Sequence, residues 1–160
     1  MNSTPYFYEL KIKVFNNKWF ENKSKQLNKQ RIKMSYLTHN EIFVNPNGTS
    51  LKGNIKCGYY LLVTLFGQPH KADEYKSDAG WDILFLDDDN HKEIRATIYN
   101  WKDGFNYCGA NGIQTDKITN WHVGGNHSSV VNRIQEVIDT YILDCLENTI
   151  TNSNKHFEEA

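Results

Sequence analysis

The sequence has almost no net charge, no long apolar run and no cysteine framework. Its 18 lysines and arginines face 19 acidic residues, a net charge of −1, so no global field draws it to nucleic acid or to a membrane surface. No apolar stretch approaches the roughly 18 residues that a membrane-spanning helix needs, and no membrane partner is expected. Cys57, Cys108 and Cys145 are an odd set without C-x-x-C spacing. They argue against a disulfide framework and a finger-type zinc site, and read as buried free thiols in a reducing compartment. Proline is scarce, with three in the chain beside abundant asparagine and lysine; that balance reflects an AT-rich genome more than folding physics.

Catalytic signatures are missing as well. There is no G-x-S-x-G for a nucleophile, no H-E-x-x-H or H-x-x-x-H among the scattered histidines, and no phosphate-binding G-x-x-x-x-G-K-[ST] or G-x-G-x-x-G. Paired carboxylates fall within hairpin turns, a poor place for acid–base work. The acidic turn Asp87-Asp88-Asp89-Asn90 lacks the ligand spacing, glycine and distal glutamate of a calcium loop. No cofactor and no metal are expected.

What is present suffices for a folded domain. A chain of 160 residues can bury a core without staples, and 39% hydrophobic with 23% charged residues places it among globular chains. Met1-Asn2-Ser3-Thr4-Pro5 is polar and leads into charged alternation, so no signal peptide is expected and an intracellular location follows.

Tyr6 to Phe15 alternates, with Tyr6, Tyr8, Leu10, Ile12 and Val14 on one face, as a half-buried strand does. The next segment, 16–35, holds Lys18, Lys23, Lys25, Lys29, Arg31 and Lys33 against Glu21, with Trp19 alongside. It is either a basic surface that could meet phosphates and stack on a base or a solvated connection between strands. Asn45-Pro46-Asn47-Gly48 is a turn, expected to separate an N-terminal hairpin from the main body. Ile55 to Phe66 is ambiguous between strand and helix. Tyr59, Leu62, Val63 and Phe66 recur at helical spacing before Gly67 and Pro69, which favours a helix ending at Phe66.

Trp81, Ile83 and Phe85 then alternate with Asp82, Leu84 and Leu86. Across the acidic turn, Ile94, Ala96 and Ile98 alternate with Glu93, Arg95, Thr97 and Tyr99. These are the two strands of a hairpin. A glycine-rich loop follows over Asp103–Gly112, then a strand over Ile118–Val123. Gly124 and Gly125 are expected to make a tight strand-to-helix turn. Val130, Ile134, Val137, Ile138, Tyr141 and Cys145 mark the strongest helix, with Asn126 or Ser128 as its cap. The fold class is therefore α+β: an antiparallel sheet of four to six strands packed against a C-terminal helix. One domain is expected over 1–148, with a polar, disordered tail over 149–160.

The order F-G-x-P-H, Y-K-x-D-A-x-W-x-I-x-F, A-T-I-Y-N-W-K-x-G-x-N-Y-x-G and I-x-x-W-H-x-G-G, from Phe66 to Gly125, resembles a group of small proteins encoded by large DNA viruses and bacteriophages, mostly without assigned function. That resemblance implies a viral protein acting in the host cytoplasm. In layout alone, a helix closed by Gly-x-Pro ahead of aromatic-rich antiparallel strands is similar to bacterial inhibitor and outer-membrane-assembly lipoprotein modules, which are binding domains.

The candidate site lies at the end of the hairpin. Lys76 and Asp78 precede its first strand, Tyr99, Trp101 and Lys102 end its second, and Tyr107 belongs to the loop that meets them. Aromatic faces beside lysine and aspartate suit recognition of a base, a sugar or a peptide edge, although a polar cap on an ordinary hairpin has the same composition. His122, beside Trp121, is the one candidate for acid–base chemistry; a histidine hydrogen-bonded to a neighbouring strand is its plain alternative. The first functional expectation is a non-enzymatic module that binds a host or viral protein. Nucleic-acid association through 16–35 and a nucleotide or phosphoester enzyme using His122 stand as alternatives.

Overall fold

A computed structural model describes residues 35–70, 75–87 and 92–158. The strand expected at Tyr6–Phe15, the basic residues Lys18 to Lys33 with Trp19, and the tip of the acidic turn lie outside the described residues. Five strands are described: β1 Ser35–Thr38, β2 Ser50–Lys56, β3 Gly80–Asp87, β4 Lys92–Tyr99 and β5 Asn120–Gly125. The helices are α1 Tyr59–Phe66, the single turn α2 Phe105–Cys108 and the long α3 Val130–Glu158. The strands form one sheet in the order β1-β3-β4-β5-β2, with every neighbour antiparallel. The α+β class follows directly.

Period-two alternation sorts the sheet into two faces. Tyr36, Trp81, Ile83, Phe85, Ile94, Ala96, Ile98, Val123, Trp121 and Ile55 share one face through the registers Tyr36↔Phe85, Trp81↔Ile98, Ile98↔Val123 and Ile55↔Trp121. They form a single core with Leu62 and Phe66 of α1 and with Val130, Ile134, Val137 and Ile138 of α3. Trp81 and Trp121 lie at its centre, both fully buried and edge-to-face with centroids 5.3 Å apart. A buried indole needs an acceptor for its N–H. Trp81 donates to the Gly67 carbonyl at 2.8 Å and Trp121 to the Cys57 carbonyl at 3.1 Å, so the two rings pin the two ends of α1. Gly67 can close that helix because its φ is +79°, and its N–H bonds the Val63 carbonyl.

Several local expectations are corrected. Ile55 belongs to a strand, and the helix begins at Tyr59. The Cys57 N–H is still bonded to Thr119 on the sheet side, and Gly58 stays extended before the first helical turn. Among the described residues, the turn at Asn45–Gly48 lies in the connection from β1 at one end of the strand order to β2 at the other, and Arg95 of β4 donates to the Asn45 carbonyl at 3.0 Å. The Asp103–Gly112 loop contains α2 and a 3₁₀ turn at Gly109–Asn111. Gly124 and Gly125 are strand residues, paired with Thr97 and Ala96. A Cβ on Gly125 would come within 2.7 Å of the Val130 methyls, so close helix–sheet approach, rather than a turn, requires the glycine.

Asn126 does not cap α3. Its side chain accepts from the Arg95 N–H at 2.8 Å and donates to the Glu93 carbonyl at 3.0 Å, prolonging the β4–β5 ladder by one side-chain rung. The described residues up to Ile138 form one compact unit, and those from Asp139 onward belong to a second. The helix α3 runs on to Glu158, through the segment where a tail was expected.

Candidate functional site

The inward parity of β4 continues one step past its end. After Ile94, Ala96 and Ile98 comes Asn100, a polar residue delivered to the apolar side and fully buried. A buried carboxamide must find partners for both its ends, and here it finds four. Its Oδ1 accepts the N–H groups of Asp78 at 2.8 Å and Ala79 at 3.1 Å. Its Nδ2 donates to Asp78 Oδ2 and Asp103 Oδ1, both at 2.9 Å. Asp78 Oδ1 in turn accepts the Asn106 N–H at 3.0 Å, and Asn106 Nδ2 reaches the Ser77 carbonyl at 2.9 Å. Gly104 seats against this knot so closely that a Cβ there would overlap the Asp78 carboxylate. One asparagine thus ties the segment before β3, the exit of β4 and the loop carrying α2 into a rigid base.

The aromatic residues stand on that base. Trp101, Tyr107 and Tyr75 are 40%, 43% and 62% exposed. Lys76 Nζ lies 5.1 Å from the Trp101 centroid, and Lys102 Nζ lies 5.7 Å from Trp101 and 5.1 Å from Tyr107. Tyr75 meets Tyr107 edge-on at 5.7 Å. Lys102 has a φ of +61°, a left-handed conformation that costs a non-glycine residue about 1–2 kcal/mol. It is held there by its N–H on the Lys76 carbonyl at 2.9 Å, while its own carbonyl accepts the Cys108 thiol at 3.3 Å. The strain aims an ammonium between two exposed rings.

No known protein family, curated protein or solved structure matches this chain.

Lys76, Asp78, Tyr99, Trp101, Lys102 and Tyr107 are brought together at one end of the hairpin. Their parts differ: both oxygens of Asp78 are taken by the knot, so it positions the loop and does not present a free carboxylate. Tyr99 points to the outer face of the sheet, stacked on His122 with centroids 5.7 Å apart and edge-on to Trp101 at 6.1 Å. Burial raises the Tyr99 phenol above its ordinary pKa. His122 sits opposite Tyr99 in the β4–β5 register, and its Nδ1 is buried with no hydrogen-bond partner among the described residues. The nucleic-acid candidates Lys18, Trp19, Lys23, Lys25, Lys29, Arg31 and Lys33 lie outside the described residues.

The outer face holds a cluster that sequence reasoning missed. His70 Nε2 lies 2.9 Å from Asp82 Oδ2, and the ring of His39 meets that of His70 edge-on at 4.7 Å. The His39 Nδ1 accepts the Asp82 N–H at 3.3 Å, and its Nε2 lies 2.9 Å from the Gln68 carbonyl, which fixes the plane of the ring. Between this cluster and Trp101 runs a groove of about 260 Å³, lined among others by Pro46, Thr49, Thr97 and Tyr99. Asn100 had a signal in the sequence, a polar residue at an inward position. The His39–His70–Asp82 cluster had none, because three separate segments build it.

Proposed function

We propose that the chain is a non-catalytic binding module that captures a protein partner through the Trp101–Lys102–Tyr107 surface. In keeping with the viral group it resembles, the partner is a host or viral protein met in the host cytoplasm. The observation that carries this reading is Lys102, held left-handed so that its ammonium lies between two exposed aromatic rings. Exposed tryptophan and tyrosine on a rigid base are the usual composition of an interface hot spot. The Lys102 ammonium among them favours a partner segment bearing acidic side chains. Among the described residues no helix is long and apolar enough to cross a membrane.

The test is affinity capture from host or infected-cell lysate, with and without nuclease, using wild type and the variants Trp101→Ala, Tyr107→Ala and Lys102→Gly. Lys102→Gly removes the ammonium while relieving the backbone strain, so it is expected to fold at least as stably as wild type. One protein that survives nuclease and is lost with all three folded variants is the expected result. Undiminished capture by the variants would overturn the reading, and loss of everything on nuclease treatment would transfer the function to nucleic acid.

A further inference from the structure

The geometry points to a second site: the groove on the outer face of the sheet is a binding site for a single neutral sugar ring. The outer face of an antiparallel sheet is ordinarily carpeted by side chains, and here two glycines interrupt the carpet. Gly80 of β3 and Gly124 of β5 flank Thr97 and Tyr99 of β4 in the registers Gly80↔Tyr99 and Thr97↔Gly124. A Cβ on Gly124 would stand 2.5 Å from Thr97 Oγ1, so the floor stays low only as glycine. The crossing connection supplies one bank with Pro46 and Thr49, and His70, Ser77 and Trp101 supply others. A volume of about 260 Å³, just under the range of drug-sized ligand sites, leaves room for one pyranose ring with its hydroxyls.

Charge narrows the class. The Asp82 carboxylate, 13% exposed and set beside His70, opposes an anion in the groove. The ammonium of Lys102 beside Trp101 opposes a cation at its rim. What remains is a neutral ligand rich in hydroxyl groups. Asp82 Oδ2 faces His70, and among the described residues no hydrogen bond is made to the other carboxylate oxygen, which can accept from a ligand hydroxyl. Thr97 offers a hydroxyl from the floor. Tyr99, fixed between His122 and Trp101, gives an aromatic wall for the C–H side of a sugar. The site shares Tyr99 and Trp101 with the docking surface but does not depend on it.

Saturation-transfer NMR on the full chain decides the matter, with glucose, galactose, mannose and N-acetylglucosamine as probes and uridine and adenosine as controls. At least one sugar is expected to bind with millimolar affinity, the range for so few heavy atoms. Asp82→Asn and the nearly isosteric Thr97→Val should each weaken it by about tenfold, the worth of one hydrogen bond. Tyr107→Ala should leave sugar binding unchanged while abolishing protein capture, which separates failure of this site from failure of the docking surface. No transfer to any sugar, transfer to the nucleosides alone, or binding that survives both groove variants would overturn the proposal.

Discussion

Replacing Asn100 tests whether the candidate surface rests on one residue. In Asn100→Ala, the N–H groups of Asp78 and Ala79 lose their acceptor, and Asp78 and Asp103 lose their donor. Ala79 is itself buried, so its N–H has no water to turn to. At about 1–3 kcal/mol for each buried group left unsatisfied, and with solvent relieving the more exposed carboxylates, the expected loss is about 3–5 kcal/mol. That is a large share of the roughly 5–15 kcal/mol that holds a domain together. Asn100→Asp keeps the size and the two accepting contacts but sets a third carboxylate against Asp78 and Asp103. It should be at least as damaging at neutral pH and recover in part on acidification, when a proton restores a donor. The assay is equilibrium unfolding in guanidinium followed by tryptophan emission, since Trp81 and Trp121 are fully buried in the folded state. A loss below about 1 kcal/mol for the alanine variant, or a fully stable aspartate variant, would refute the reasoning.

Burial pushes the Cys57 thiol from 9.0 up to about 11. A group raised on folding contributes stability that is whole below its unfolded pKa and lost as pH climbs through the folded one. Stability should therefore decline between pH 9.0 and about 11, and Cys57→Ala should lack that part of the decline in alkaline unfolding curves. In alkylation followed by mass spectrometry near neutral pH, exposed Cys145 should react first, and half-buried Cys57, its thiol raised by burial, more slowly. Gly125→Ala forces a methyl to within 2.7 Å of Val130 and 2.9 Å of the Arg95 carbonyl. It should cost about 1–3 kcal/mol by thermal unfolding, and an unchanged melting temperature would show that α3 can move off the sheet freely.

Much of the fold was legible because alternation is local. The parity of 81–86 and 93–99 gave both strands of the hairpin and the face each residue takes, and the spacing of Val130, Ile134, Val137 and Ile138 gave the helix that covers it. The edges were not legible. β1 has four residues, and its pairing with β3 is written in no local pattern. β2 shows only Ile55 buried, and its register slips between Leu51 and Gly53, so its alternation is broken where a reader would look for it. Gly124 and Gly125 were misread for the same reason: a glycine excluded by a distant neighbour looks, in sequence, like a glycine chosen for a turn.

The two sites differ in the same way. Residues at the end of a hairpin must converge, whatever the rest of the chain does, so Lys76, Tyr99, Trp101 and Lys102 could be brought together from the strand boundaries alone. The strain at Lys102 could not, because it depends on the Lys76 carbonyl and on the loop that carries Cys108. The groove is less local still. It requires two glycines on strands that flank β4, a connection from edge to edge of the sheet, and a histidine brought to Asp82 by the His70↔Gly80 bridge. Each is unremarkable in sequence, and the chemistry arises only from their register. A binding surface built on one hairpin end can thus be read before the fold is known, whereas one built across strands has to wait for the strand order.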